Sequence, residues 1–146
     1  GVTMPSSPPT IMTINLADSE KVAEGAIEKA KELGIRISVA ICDAGGRLVL
    51  FNRIEGAAWG SVQTAQGKAL CSAGFTMSSG RFTQEAGEGH IRLFGKQSDA
   101  ADMIYLRGAV AIFHDNLAVG SCGVAGGTVE QDEACARAGV AKLTQA

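Results

Sequence analysis

The chain has 146 residues with 46% hydrophobic and 5% aromatic content, enough for one core built mainly from small aliphatic side chains. Its formal net charge of −2 leaves no basic surface for nucleic acid or an anionic membrane, so neither is an expected partner. No apolar run approaches the roughly 20 residues that cross a bilayer, and no secretory pattern opens the chain. We therefore expect a cytoplasmic protein with a flexible N-terminal arm over residues 1–10 and a single domain over residues 11–146.

The first helix is predicted between residues 15 and 33, where apolar positions recur at helical spacing. Either Asn15 or Asp18 is suited to the N-cap, because each has a short oxygen-bearing side chain. Gly34 is suited to the left-handed backbone that commonly follows a helix. The pattern indicates a helix that buries one face.

A β-hairpin and a second helix follow. Residues 35–42 and 48–51 are apolar and flank the turn-forming residues 43–46, which predicts two antiparallel strands. Ser61 is a candidate N-cap for a helix of small residues over about 62–73. Such a helix can approach a sheet or a second subunit closely.

The second half predicts another hairpin after a long irregular segment. Residues 75–100 are glycine-rich without sustained periodicity, and we expect one helical turn near Thr83. Residues 110–113 and 117–124 flank the turn dipeptide 115–116 and predict the second hairpin. A capping box of Thr128 with Gln131 then begins a helix that ends near Leu143. The order of elements predicts an α+β fold, an antiparallel sheet with helices packed on it.

The four cysteines are widely spaced, form no CxxC pair and lie in apolar stretches. We expect Cys42, Cys71, Cys122 and Cys135 to be buried, reduced thiols. No paired Cys or His ligands are present at zinc-finger spacing, so we predict no structural metal site.

Three segments, in this order, resemble the GlcG/HbpS family, which is also found as the C-terminal domain of PduO-type proteins. They are VAICDAGG (residues 39–46), AQGKA (65–69) and GSCGVAGG (120–127), the last running into EQDE (130–133). The resemblance implies a profilin-like fold with a five-stranded antiparallel sheet flanked by helices, assembled into dimers or larger homo-oligomers. It also makes haem a candidate cofactor, alongside small organic acids as ligands. Such a range of ligands makes family membership a poor guide to substrate.

Two segments are candidate anion sites. The turn at Gly126, Gly127 and Thr128 would point backbone N–H groups at a carboxylate or phosphate from the start of a helix, or would be only a sharp strand-to-helix turn. Arg53 and Glu55 lie in the predicted loop directly after the second strand. An Arg fork suits a carboxylate and Glu55 could exchange protons, although the family commonly has Asp there. The alternative is a surface ion pair without function.

Lys68 matches a recurrent lysine of the family, and a partly buried ammonium can pair with an anionic ligand or act as an activated amine. The alternative is a lysine whose charged end reaches solvent at a subunit edge. Trp59 precedes the second helix and would either line a pocket for a flat ligand or pack against the helix entrance.

The two imidazoles, His90 in the long loop and His114 at a hairpin tip, could bind haem iron or transfer protons, although a loop His is usually solvated. The first helix lacks the His proposed as haem ligand in the PduO-type branch, which disfavours that route. Glu85 and Glu88 resemble a surface iron site of the haem-binding branch, but two carboxylates alone bind weakly.

These residues support three hypotheses. The leading one is an oligomeric binding protein for a small anionic or haem-like ligand. The alternative is a cofactor-independent isomerase or lyase acting on a small carboxylate-bearing metabolite. In it, Glu55 or a His such as His114 exchanges a proton, and Arg53 or Lys68 stabilises the developing negative charge. A third is a subunit that mainly assembles through its Gly- and Ala-rich faces.

Overall fold

The first helix begins and ends at the residues that local chemistry favours. The computed structural model describes residues 12–85 and 102–144, so the predicted arm over residues 1–10 lies outside the described part. Helix α1 spans Leu16–Leu33, with Asn15 as N-cap accepting a 2.7 Å hydrogen bond from the backbone of Asp18. Gly34 ends it in the left-handed region at φ 71°. Of the two candidate N-caps, Asn15 is confirmed.

Four antiparallel strands form one sheet in the order β2-β1-β4-β3. They are β1 (Ser38–Asp43), β2 (Leu48–Arg53), β3 (Ala109–His114) and β4 (Leu117–Ala125). Both predicted hairpins are confirmed, and the second turns through Asp115 and Asn116 at φ 49° and 66°. The α+β class is confirmed. The described residues contain four strands, whereas the family resemblance implies five.

Three further helices complete the described chain: α2 (Ser61–Phe75), α3 (residues 79–85) and α4 (Val129–Ala141), the last followed by a short 3₁₀ turn. The N-cap of α2 is Gly60 rather than Ser61, because the Ser61 hydroxyl donates to the Ala58 carbonyl instead of capping the helix. The capping box of Thr128 with Gln131 is confirmed.

The sheet lies between two helical layers. Helices α1 and α4 cover one face, where the largest apolar cluster includes Val39, Ile41 and Val124. Helix α2 covers the other face, against Ala40, Cys42 and Ala125. All four cysteines are free and buried, as predicted. Within the described residues, no helix is long and apolar enough to cross a membrane.

Helix α2 packs unusually closely on β4, because Gly123 faces it. A Cβ atom at Gly123 would lie 2.6 Å from the backbone nitrogen of Ala69. The Ser121 hydroxyl, on the same face, donates a 2.6 Å hydrogen bond to the Ala69 carbonyl. This contact fixes the position of α2, which carries Lys68 and forms one wall of a cavity described below.

Candidate functional site

Lys68 forms an internal ion pair. Its side chain is 2% exposed, and Nζ donates 3.0 Å to Oδ2 of Asp132 and 3.1 Å to the carbonyl of Val124. The interpretation of Lys68 as a side chain reaching solvent is wrong, because the cation lies between α2, β4 and α4. Its charge is already met by a carboxylate of the same chain.

The predicted anion site at Gly126 and Gly127 also contains this carboxylate. The amide of Gly127 donates 2.8 Å to Oδ1 of Asp132, and the Gly126 amide hydrogen-bonds the same side chain. Burial raises the pKa of the Asp132 carboxyl, while Lys68 and the two amides act in the opposite direction. Thr128 bonds with Gln131. The turn therefore binds an internal anion.

Arg53 ends β2, and Glu55 and Trp59 lie in the loop that follows, at the sheet end that also holds Ala125. The guanidinium of Arg53 donates to the Ala57 carbonyl at 2.8 and 3.2 Å, rather than forming the surface ion pair with Glu55. Glu55 is exposed, and its carbonyl accepts from Arg36. Trp59 is 81% exposed, so it neither lines a pocket nor packs at the helix entrance in this structure.

His114 lies far from the other candidates. It ends β3, and its Nε2 is 3.4 Å from Oδ2 of Asp115. Gly108 lies beside Lys68 and directly precedes the first residue of β3. At 3.3 Å per residue, His114 at the other end of β3 is roughly 20 Å from Gly108. His114 therefore cannot share one reaction centre with Lys68. His90 and Glu88 lie outside the described residues, and Glu85 pairs with Arg81 at 2.8 Å.

A cavity of about 710 Å³ lies between the β1–β2 turn and α2, and we call it the main cleft. Its apolar lining comes from Leu48, Leu70 and Ile104, and Arg47 contributes a cation. The remaining lining residues are Cys42, Gly46, Gln63, Gln66, Gly67 and Asp102. The walls are thus partly apolar and partly polar, with the Asp102 carboxylate beside the Arg47 cation in the same lining. A cavity of this size suits a small organic molecule.

Cys42 is the thiol in this lining. Burial raises its pKa to about 11, with Asp43 adding to the rise and a hydrogen bond with Ser121 opposing it. The thiol is therefore protonated at neutral pH and is a weak ligand for iron or another metal. Among residues 12–85 and 102–144, no group of three or more His, Cys, Asp or Glu side chains is arranged to hold a metal ion.

A second cavity of about 610 Å³ lies between α3, the segment before β3, and α4. Its charged lining consists of Arg81, Arg107, Arg137 and Glu133, and we call it the arginine cleft. The Glu133 side chain is 8% exposed and accepts hydrogen bonds from both Arg107 and Arg137. Burial alone would raise its pKa, but the two guanidinium groups hold the pKa of Glu133 below the ordinary value.

Of the candidate site residues that fall within residues 12–85 and 102–144, none lines either cleft. The structure brings Lys68, Gly126 and Gly127 together around Asp132, and it leaves Arg53, Glu55 and His114 outside that group. Arg47 and Arg107, which line the two clefts, were not among the candidate residues. The sequence offered one indication of a role for Arg47, namely its position directly after the segment 39–46 that carries the family resemblance.

Comparison with known proteins gives consistent results. An uncharacterized 15.0 kDa protein from the dhaT-dhaS intergenic region of Citrobacter freundii is 28% identical over 123 residues, covering 84% of this chain and 86% of that protein. The crystal structure of Klebsiella pneumoniae protein ORFY superposes with a TM-score of 0.85 at 24% identity, covering 99% of both chains. A PduOC:haem complex gives 0.79 at 25% identity, covering 90% of this chain and 95% of that one.

The family model described as "Haem degrading protein HbpS-like" matches residues 14–141. The match includes every strand and α-helix of the described structure. It also includes the main cleft and the arginine cleft. The protein therefore belongs to the HbpS-like family.

Proposed function

We propose that this protein binds a haem-like ligand, a flat apolar molecule with carboxylate groups, in the main cleft. The observation that carries the proposal is the cleft itself, with Leu48, Leu70 and Ile104 on its walls and Arg47 among its polar groups. Apolar walls provide most of the binding free energy for such a ring, and an Arg fork suits a carboxylate. A haem complex of a relative with 25% identity supports the same ligand class.

The lining suits the organic part of haem better than its iron. Leu48 and Leu70 offer apolar contact to the porphyrin ring, and Arg47 offers hydrogen bonds to a propionate. The described lining contains no His, and the Cys42 thiol is protonated at neutral pH. Binding by these residues therefore depends on the ring and its carboxylates.

The broader setting of the proposal is a cytoplasmic homo-oligomer with the profilin-like, five-stranded form of the fold. The family resemblance supports both the assembly and the fifth strand. Large apolar side chains that stay exposed in one chain, namely Trp59, Phe113 and Leu117, also favour assembly, because subunit contacts commonly cover such surface.

Titration with haemin and with iron-free protoporphyrin tests this function. Both ligands should bind saturably, with affinities within about tenfold of each other, a difference of about 1.4 kcal/mol. The reason is that the ring and propionates, rather than the iron, make the contacts. Absorbance follows haemin binding, and fluorescence follows the iron-free ligand.

Arg47→Gln should weaken both ligands by about tenfold, since it removes a charge-assisted hydrogen bond. Lys21→Gln is the matched control, because Lys21 is an exposed cation on α1 whose nearest ion-pair partner is 3.9 Å away. Saturable binding of haemin alone would contradict the proposal and would direct attention to an iron ligand such as His90. Absence of binding by either ligand would also contradict it.

A further inference from the structure

The arginine cleft contains an arrangement of charge that the proposed function does not use. Arg81 lies on α3, Arg107 lies before β3, and Arg137 lies on α4, so three segments bring guanidinium groups to one cavity of about 610 Å³. Glu133 is the one carboxylate in its described lining. The lining therefore carries more positive than negative charge, in a chain whose formal net charge is −2.

Glu133 holds two of these arginines in place. Its Oε1 accepts from Nε and Nη2 of Arg137 at 3.0 and 2.6 Å, and its Oε2 accepts from Nε of Arg107. Both arginine side chains remain about half exposed, at 47% for Arg107 and 61% for Arg137. Each guanidinium keeps further N–H donors for a ligand. Fixing the two forks in advance lowers the entropy lost on binding.

Two other carboxylates lie near these arginines without lining the cavity. Glu85 pairs with Arg81 at 2.8 Å, and both side chains are more than half exposed. Glu130 lies 4.0 Å from Nη1 of Arg107, at the outer limit of an ion pair. Exposed pairs of this kind contribute about 1 kcal/mol or less, so a ligand carboxylate can compete with them.

We propose that the arginine cleft is a second ligand site, separate from the main cleft, which binds a small molecule with two or more carboxylates. The arginine fork matches the planar geometry of a carboxylate in two hydrogen bonds. The arginines come from three separate segments around a cavity larger than a single small oxyanion needs. Separated cations around this volume favour several carboxylates on a short carbon skeleton.

Calorimetric titration of the full chain at low ionic strength tests the site, with citrate as the probe. Citrate should bind saturably and more tightly than inorganic phosphate or acetate, by about tenfold or more, since each further charge-assisted hydrogen bond adds affinity. Arg137→Gln and Arg107→Gln should each weaken citrate by about tenfold for the same reason. Arg81→Gln provides a variant whose exposed position leaves folding unaffected, and it should also weaken citrate.

The control is Lys21→Gln, which removes one exposed positive charge away from the cleft and should leave citrate affinity unchanged. The proposal would be overturned if citrate failed to saturate, or if acetate or phosphate bound as tightly. It would equally be overturned if Lys21→Gln and Arg81→Gln weakened citrate alike, since that result means attraction by total charge.

Discussion

Lys68 shows how one buried cation organises the end of the sheet. Removing a charge from water costs several kcal/mol, and this cost is offset here by Asp132 and the Val124 carbonyl. Asp132 in turn accepts from the amide of Gly127. The lysine that resembles a binding residue in the sequence therefore stabilises the turn between β4 and α4.

Lys68→Met should lower the free energy of unfolding by about 3–5 kcal/mol, because it leaves the Asp132 carboxylate buried without its cation. Urea unfolding monitored by circular dichroism measures the change. Lys142→Met is the matched control. Its pair with Glu28 is partly exposed, and its loss should cost about 1 kcal/mol or less.

The double variant Lys68→Met with Asp132→Asn should recover part of the lost stability, since no unpaired charge remains and the Asn side-chain oxygen can still accept from the Gly127 amide. A Lys68→Met protein as stable as the parent would show that the ion pair has no structural role. That result would return Lys68 to the ligand-binding candidates.

Glu55 makes a contrasting prediction at the same scale. Glu55 is exposed and lies outside the main cleft. Glu55→Gln should therefore leave haemin affinity within about twofold of the parent, a smaller change than the loss of one hydrogen bond would cause. A tenfold loss, measured in the same absorbance titration, would place the ligand at the Arg53–Glu55 loop instead.

At the scale of elements, the contact between α2 and β4 depends on a missing side chain. Gly123→Ala should destabilise the fold by about 1–3 kcal/mol, because the added Cβ meets the backbone of Ala69 and cannot be accommodated by a rotamer change. Gly60→Ala is the control, since a Cβ atom at Gly60 would meet nothing within 4 Å beyond its chain neighbours. Equal melting temperatures for the two variants would contradict the close approach.

The stability contributed by the ion pairs of Glu133 on α4 with Arg107 and Arg137 should depend on pH. The pKa of Glu133 is lowered in the folded protein, so its contribution to stability is fully present above the ordinary value of 4.5. The contribution is lost as the pH falls through the lower folded-state pKa. Melting temperatures between about pH 2 and 6 should therefore fall less steeply for Glu133→Gln than for the parent. Glu85→Gln, at an exposed pair, should follow the parent curve.

Most elements could be predicted from the sequence because their signals are local. The Asn15 cap, the Thr128–Gln131 capping box and the turn at Asp115 and Asn116 each depend on residues within a few positions. The prediction of Ser61 as a cap is wrong because its hydroxyl donates to the Ala58 carbonyl and also contacts the Ser38 hydroxyl. The contact with Ser38 arises only when α2 packs against the sheet.

The candidate sites could not be predicted in the same way. Lys68 and Asp132 are 64 positions apart, and Arg107 and Glu133 are 26 apart, so no spacing pattern links either pair. The main cleft joins a hairpin turn to one face of α2, and neither segment carries a metal or nucleophile motif. Residue type and the family resemblance drew attention to Arg53 and Glu55, and residue type to Trp59, but all three lie at the exposed end of β2 or in the loop after it.

At the scale of the whole molecule, the two faces of the sheet are covered by different helices. Helices α1 and α4 cover one face with a continuous apolar core, whereas α2 leaves the main cleft beside it on the other face. This arrangement places the proposed ligand on the α2 side. Stability variants of the core and binding variants of the cleft should therefore be separable.

Hydrogen exchange with and without haemin tests this account most directly, because it locates the bound ligand along the chain. We expect added protection at residues 46–48 and 63–70, which line the main cleft, and none at residues 53–59. Protection at residues 53–59 with none at the cleft would contradict the account and would place the ligand at the loop of Arg53 and Glu55.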